Sequence, residues 1–177
     1  WSPANVITSS DLSMSDSGFG SILAAGSDGT VIIKFESASQ WTDISFDVGE
    51  ENIRGVSLIR NDSAIAVGSN GSIWKYESET WSDYSVSGVD LLDVSFLDSE
   101  RGIAVGDEGA ILFSEDGGIT WDYRDSPSEA SSSRIIDIEF YSDIRAYAIT
   151  DNGGVLKSSR EISTQVGFLW NMQYFES

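Results

Sequence analysis

The chain has 177 residues, which suits one domain or at most two small ones. Its 29 acidic and 10 basic residues give a formal net charge of −19, which argues against nucleic acid or an anionic membrane surface as a partner. It contains no cysteine and no histidine, so disulfides, thiolate sites and the usual general base near neutral pH are excluded.

The acidity has two competing explanations. A highly charged surface keeps a protein soluble through self-repulsion. Alternatively, many carboxylates and few lysines suit concentrated salt, where screening weakens that repulsion. Lys34, Lys75 and Lys157 are the only lysines in the sequence, so we expect a saline setting. We also expect no signal peptide and no membrane span, because no stretch approaches the roughly 18 apolar residues that a span needs.

A repeat of 40 residues organises the chain, since tryptophan occurs at positions 1, 41, 81 and 121. After the first tryptophan, residues 11–17 (DLSMSDS) match residues 93–99 (DVSFLDS), and residues 55–58 and 137–140 are weaker copies. These segments predict the first strand of each unit.

A strand of small residues comes next in each repeat and ends in a glycine turn. Asp28-Gly29, Asn70-Gly71 and Asn152-Gly153 are strong hairpin signals, because their residues tolerate positive φ. A third strand follows the turn, and the tryptophan then opens a fourth, more polar strand. We expect the tryptophans to pack between repeats or to cap hairpins.

Four short strands in 40 residues are typical of a β-propeller blade. The sequence therefore predicts an all-β propeller with a strand at 1–10 and repeats at about 11–50, 51–90, 91–130 and 131–160. Residues 1–6 could complete the fourth blade and close a ring of four. Alternatively, residues 161–177 supply that strand and the chain is part of a larger propeller. Residues of this tail, as closing strand or docking segment, are Phe168, Trp170, Tyr174 and Phe175.

The third repeat carries the most specific motif. Its residues 114–121 (SEDGGITW) match the Ser-x-Asp-x-Gly-x-Thr-Trp pattern of the Asp-box, or BNR, repeat at every fixed position. These positions are Ser114, Asp116, Gly118, Thr120 and Trp121. With residues 102–112, the segment resembles the propeller repeats of photosystem II assembly and stability factors. The resemblance implies that the box is a structural turn at the periphery of a blade, without a catalytic role.

The resemblance implies a non-catalytic scaffold that binds a protein partner or copies of itself, at the cell surface or outside the cell. A structural subunit of a surface layer, fibre or virion is the alternative. A sialidase-type hydrolase is a third hypothesis, because sialidases carry Asp-boxes, but their Arg-Ile-Pro motif is absent. We expect no cofactor, no metal and no small-molecule ligand. An arginine can bind a partner carboxylate through two hydrogen bonds, and the candidates are Arg54, Arg60, Arg101, Arg134 and Arg145.

Overall fold

The computed structural model describes residues 8–49, 52–128, 130–142, 145–159 and 169–173. These residues form four antiparallel, four-stranded sheets, and each sheet is one blade. Blade 1 contains β1 (Leu12–Gly18), β2 (Ser21–Gly26), β3 (Val31–Phe35) and β4 (Thr42–Asp43). Blade 2 contains β5 (Ile53–Arg60), β6 (Ser63–Gly68), β7 (Ile73–Glu77) and β8 (Thr80–Asp83).

The last two blades repeat this plan. Blade 3 contains β9 (Leu91–Phe96), β10 (Gly102–Gly106), β11 (Ile111–Ser114) and β12 (Asp122–Tyr123). Blade 4 contains β13 (Ile135–Ser142), β14 (Arg145–Thr150), β15 (Val155–Ser159) and β16 (Leu169–Gln173). Consecutive strands are hydrogen-bonded neighbours in every sheet.

The four sheets are arranged in a ring, with the first strand of each sheet on a central channel. The molecule is a four-blade β-propeller, which confirms the fold class expected from the sequence. The fourth strand of blade 4 comes from residues 169–173, where Trp170 pairs with Ser158. The tail residues Phe168, Tyr174 and Phe175 lie outside the described residues, and so do residues 1–7 of the strand expected at 1–10; residues 8–10 are not in a strand.

The glycine turns connect the second and third strands. In blade 1, Asp28 and Gly29 have φ values of 58° and 70°, and in blade 2 Asn70 and Gly71 have 54° and 75°. A side chain at position 29 would also collide with the backbone, because an added Cβ would lie 2.1 Å from the carbonyl oxygen of Phe46. Only glycine satisfies both demands, which is why the dipeptides recur at this point of the repeat.

Three apolar cores lie between successive blades, and each joins large side chains to small ones. We call the side of a blade that faces the next blade in the chain its forward side, and the opposite side its backward side. In each core the second strand of one blade contributes at least one large aliphatic residue on its forward side, and the second strand of the next blade contributes alanines on its backward side. The forward residues are Leu23, Ala25, Ile65, Val67, Ile103 and Val105, and the backward ones include Ala64, Ala66, Ala104, Ala146 and Ala148.

Two tryptophans of the repeat, Trp81 and Trp121, belong to these cores. The Nε1 of Trp81 in blade 2 donates a hydrogen bond to the carbonyl oxygen of Ile44 beyond β4, at 2.6 Å. Its ring stacks on Phe46 with the centroids 4.3 Å apart. Trp121 is buried and meets the ring of Phe96 edge-on at 5.9 Å. Both side chains therefore stabilise the packing of one blade or turn on another.

Candidate functional site

Polar side chains from all four first strands surround the channel. One cavity of about 430 Å³ and a second of about 400 Å³ lie along it. Asp16, Ser57, Ser95 and Glu139 occupy the same register in their blades, since they pair with Leu23, Ile65, Ile103 and Tyr147. The repeat therefore places one oxygen-bearing side chain per blade at the same height.

Hydrogen bonds from these side chains tie neighbouring blades together. The Oδ2 of Asp16 accepts from the backbone N–H of Leu58 at 2.7 Å and from the hydroxyl of Ser57 at 3.2 Å. The hydroxyl oxygen of Ser57 in turn accepts from the backbone N–H of Phe96 at 3.1 Å. Two of these contacts satisfy backbone donors that face the preceding blade, at Leu58 and Phe96. We refer to them as the interblade hydrogen bonds.

Asp93 makes a further interblade hydrogen bond, in the part of the channel that Asp137 also lines. Its Oδ2 accepts from the backbone N–H of Ile138 at 2.9 Å. Burial raises the pKa of Asp93 to about 7, and the hydrogen bond and negative charge of Asp137 act in the same direction. Burial, followed by the charge of Asp16, also raises the pKa of Glu139. Asp93 can therefore hold a proton in the channel near neutral pH.

The five candidate arginines divide between the two faces of the ring. The turn face carries the glycine turns, and the box face is the opposite one. Arg54 and Arg134 lie on the turn face, at the start of β5 and just before β13. Arg54 pairs with Asp90 at 2.9 Å, and Arg134 pairs with Asp107 at 2.7 Å. Both pairs join successive blades across the rim of the channel.

The other three arginines lie on the box face. Arg60 pairs with Glu77, and Arg101 donates two hydrogen bonds to Asp98, from Nε at 2.8 Å and from Nη2 at 2.6 Å. Arg145, at the start of β14, is exposed and has no ion pair within the described ranges. Since surface ion pairs are weak, a partner carboxylate can compete for any of these guanidinium groups.

The Asp-box forms a closed hydrogen-bonded turn after β11. The Oδ1 of Asp116 accepts from the backbone N–H groups of Ile119 and Thr120, at 3.0 and 2.9 Å. Its Oδ2 accepts from the hydroxyl of Thr120 at 2.6 Å. Gly118 has a φ of 84°, and its carbonyl oxygen accepts from the Nε1 of Trp121 at 3.1 Å. The polar groups of the motif bond to one another, and these bonds hold the turn in shape.

The bonds within the box also alter the acidity of its carboxylate. Burial by itself would raise the pKa of Asp116. The bonds from Thr120, Ser114 and Ile119 outweigh that effect and hold the pKa of Asp116 below its usual value. The side chain therefore remains an ionised acceptor and does not serve as a proton donor near neutral pH.

Two features were not identified from the sequence. One is the pair of channel carboxylates Asp93 and Asp137. They occupy equivalent positions in the first strands of repeats 3 and 4, and this recurrence in the sequence could have indicated them. The other is a cleft of about 860 Å³ at the rim between blades 1 and 2. Aromatic and acidic residues both line this cleft, including Phe35, Asp43, Asp62, Tyr76, Glu79 and Trp81.

The arrangement favours binding contacts over bond-making chemistry. A sialidase-type site needs arginines that converge around a tyrosine nucleophile, but these arginines lie on two faces. Burial and the charges of Glu79 and Asp62 raise the pKa of Tyr76, which disfavours a phenolate there. Within the described ranges, no three acidic side chains are grouped as metal ligands. None of the helices in that part of the chain is long and apolar enough to cross a membrane.

Fold and Asp-box together define a BNR-repeat β-propeller. Residues 76–159 match the family described as photosynthesis system II assembly factor YCF48. A curated relative, the photosystem II assembly lipoprotein Ycf48 of Prochlorococcus marinus (strain MIT 9312), is 49% identical over 51 residues, which is 28% of this chain and 15% of that protein. The resemblance to photosystem II assembly factors is thereby confirmed.

Solved structures agree with this result at the level of the fold. YCF48 from Cyanidioschyzon merolae has a TM-score of 0.64 at 21% identity, over 82% of this chain and 50% of that one. A structure of YCF48 bound to D1 peptide has a TM-score of 0.67 at 19% identity, over 96% of this chain and 55% of that one. The chain thus spans about half the length of these propellers.

The expected location at the cell surface or outside the cell is wrong. The curated relative is a photosystem II assembly lipoprotein, and the matched family is a photosystem II assembly factor. The error has a physical origin, because net charge constrains solubility and association but does not specify a compartment.

Proposed function

We propose that this chain is a non-catalytic assembly propeller that binds a peptide segment of a protein partner. The observation that supports it most directly is the family match over residues 76–159, because that family consists of assembly factors. A solved YCF48 is described as bound to D1 peptide, which indicates the kind of partner. Neither the structure nor the relatives support a saline setting, so it is not part of the proposal.

Arginines within the matched segment are the proposed contacts for a partner carboxylate. Arg101, Arg134 and Arg145 lie in this segment. Arg101 and Arg134 already contact Asp98 and Asp107, so a partner must displace an internal acid to reach them. Arg145 is exposed and has no such competitor in the described part of the chain, which makes it the first choice for a test.

A binding titration tests this function directly. The probe is a fluorescently labelled D1 peptide, and anisotropy reports its binding. We expect saturable binding with the peptide recovered uncleaved. We also expect the Arg145→Gln variant to bind about tenfold more weakly, because a charge-assisted hydrogen bond contributes about 1.5 kcal/mol.

Lys34→Gln is the matched control, because it removes one positive charge from blade 1, outside the matched segment. Equal affinities for the Arg145 and Lys34 variants would reject Arg145 as a contact. No binding of the D1 peptide by the unmodified chain would reject the peptide-binding function. Cleavage of the peptide would reject the non-catalytic assignment.

A further inference from the structure

The cleft at the rim between blades 1 and 2 lies beside an unusually short hairpin. In blade 2, only Ser78 and Glu79 connect β7 to β8, with positive φ values of 53° and 61°. In blade 3, residues 115–121 connect β11 to β12, and most of the Asp-box lies in this longer segment. Blade 2 therefore lacks the stretch of chain that forms the box in blade 3.

The Asp-box covers the preceding blade at the junction between blades 2 and 3. A Cβ added at Gly118 would lie 2.6 Å from Cδ1 of Ile65, and one added at Gly117 would lie 3.7 Å from Nζ of Lys75. Blade 2 has only its two-residue turn at the same point against blade 1, and a cleft of about 860 Å³ remains open there. This volume lies within the range of about 300–1,000 Å³ that is usual for ligand pockets.

Aromatic rings form the walls of the cleft. Phe35 lies on the forward side of blade 1, and Tyr76 and Trp81 lie on the backward side of blade 2. All three side chains are half-buried, so each keeps part of its surface accessible. Trp81 is held by its hydrogen bond to Ile44 and by its stacking on Phe46, and its ring centroid lies 5.3 Å from that of Tyr76. Aromatic faces held in this way attract cations.

Three carboxylates, Asp43, Asp62 and Glu79, also line the cleft, and all three residues are exposed. Hydrogen bonds from the hydroxyl and the backbone N–H of Ser45 hold the pKa of Asp43 below its usual value. After burial, the charges of Glu79 and Asp62 raise the pKa of Tyr76, so both carboxylates lie near the phenol. Among the described residues that line the cleft, none is basic, and within the described ranges neither Asp62 nor Glu79 belongs to an ion pair.

We propose that this cleft binds an arginine side chain in a basic segment of a protein partner. A guanidinium group can stack on an aromatic ring and donate two hydrogen bonds to a carboxylate, so it matches both kinds of lining residue. The cleft is larger than one side chain, which leaves room for the residues that flank the arginine. Because the cleft lies between blades 1 and 2 and Arg145 lies in blade 4, this inference does not depend on the proposed peptide contact.

A binding titration with arginine peptides tests the proposal. The probe is a fluorescein-labelled peptide in which arginine alternates with glycine, and anisotropy reports its binding. The titration is carried out at about 0.15 M salt, where the Debye length of roughly 8 Å screens diffuse attraction to the acidic surface. We expect saturable binding, and we expect none for a peptide with citrulline, the uncharged analogue, in place of arginine.

Substitutions in the cleft locate the binding site. Asp62→Asn should weaken binding about tenfold, because a charge-assisted hydrogen bond is lost. Tyr76→Leu should weaken it about threefold, because a cation–π contact is lost. Asp122→Asn is the matched control, since it removes the same charge from a side chain that is 79% exposed in blade 3. Near-UV circular dichroism checks that each variant is folded, and Asp62→Asn still tests the site if Tyr76→Leu does not fold.

Four results would overturn the proposal. One is the absence of binding by the unmodified chain, and another is equal binding of the citrulline peptide. Equal weakening by Asp62→Asn and Asp122→Asn would show that the peptide responds only to net charge. If arginine amide alone binds as tightly as the peptide, the cleft is a site for small cations and not for a partner segment. None of these measurements uses the D1 peptide, so a failure here is distinct from a failure of the proposed function.

Discussion

Replacing Asp93 by asparagine should stabilise the propeller in neutral and alkaline solution. The amide oxygen of the new side chain can still accept from the N–H of Ile138, which now donates to the carboxylate at 2.9 Å. The amide group can also donate to Asp137, as the protonated acid does. The variant therefore mimics protonated Asp93 at every pH and removes the cost of burying its charge.

The expected size of the effect follows from the pKa of Asp93. Its pKa rises from the ordinary value of 3.8 to about 7 in the folded chain, mainly through burial. A difference of roughly three pH units corresponds to about 4 kcal/mol at most. Between these pH values the folded state binds a proton that the unfolded state has released, so stability falls as the pH rises from about 4 to about 7.

Urea denaturation of both proteins across this pH range measures the effect. The difference in unfolding free energy should be small near pH 4 and should grow to as much as about 4 kcal/mol near pH 8 in favour of the variant. Asp122→Asn is the control, because the side chain of Asp122 is 79% exposed. A difference that does not change with pH would show that Asp93 is ionised throughout, and would refute the reasoning.

Two further substitutions test the packing of turns and blades by urea denaturation. Gly118→Ala should cost more than the roughly 1–2 kcal/mol of a left-handed residue, because its φ is +84° and its Cβ would lie 2.6 Å from Cδ1 of Ile65. Gly153→Ala has a similar φ of +86° with open space around it, so equal losses would contradict the steric explanation. Trp81→Phe should cost about 1 kcal/mol, because it removes the hydrogen bond to Ile44 and keeps an aromatic ring. An unchanged stability would show that this bond contributes nothing net.

The blade count was predictable because it depends on local signals. The spacing of Trp41, Trp81 and Trp121 gives the period, and glycine turns such as Asp28-Gly29 give the strand boundaries. Each signal lies within a few residues of the turn or strand that it specifies. The sequence predicts four strands for the first three repeats and leaves the fourth strand of the last blade to either end of the chain; in the structure, residues 169–173 supply it.

The alignment of the first strand was less predictable. The sequence matches residues 11–17 with 93–99, yet Leu12 pairs with Gly26 as Leu91 pairs with Gly106. The two strands are therefore equivalent with a shift of three residues. The cause is a shorter hairpin in blade 1, where Gly18 pairs with Ser21 and only two residues form the turn. Similar amino-acid sequences in two repeats do not reveal that the loops between their strands differ in length.

The site was harder to predict because its contacts join different repeats. The bond from Ile138 to Asp93 spans 45 residues, and that from Leu58 to Asp16 spans 42. Composition alone does not show which side of a strand faces the channel. Likewise, Arg54 and Arg60 belong to one strand but lie at its opposite ends. Arginines from similar parts of the repeat therefore reach different faces.

The interblade hydrogen bonds make the number of blades easy to change during evolution. Blades 1, 2 and 3 each offer a side-chain acceptor, Asp16, Ser57 or Asp93, to a backbone donor of the blade that follows, at Leu58, Phe96 or Ile138. Duplication or loss of one whole repeat leaves every acceptor opposite a donor, whereas a break within a repeat disrupts two junctions. Rings of different size can therefore arise from the same unit through a single genetic event.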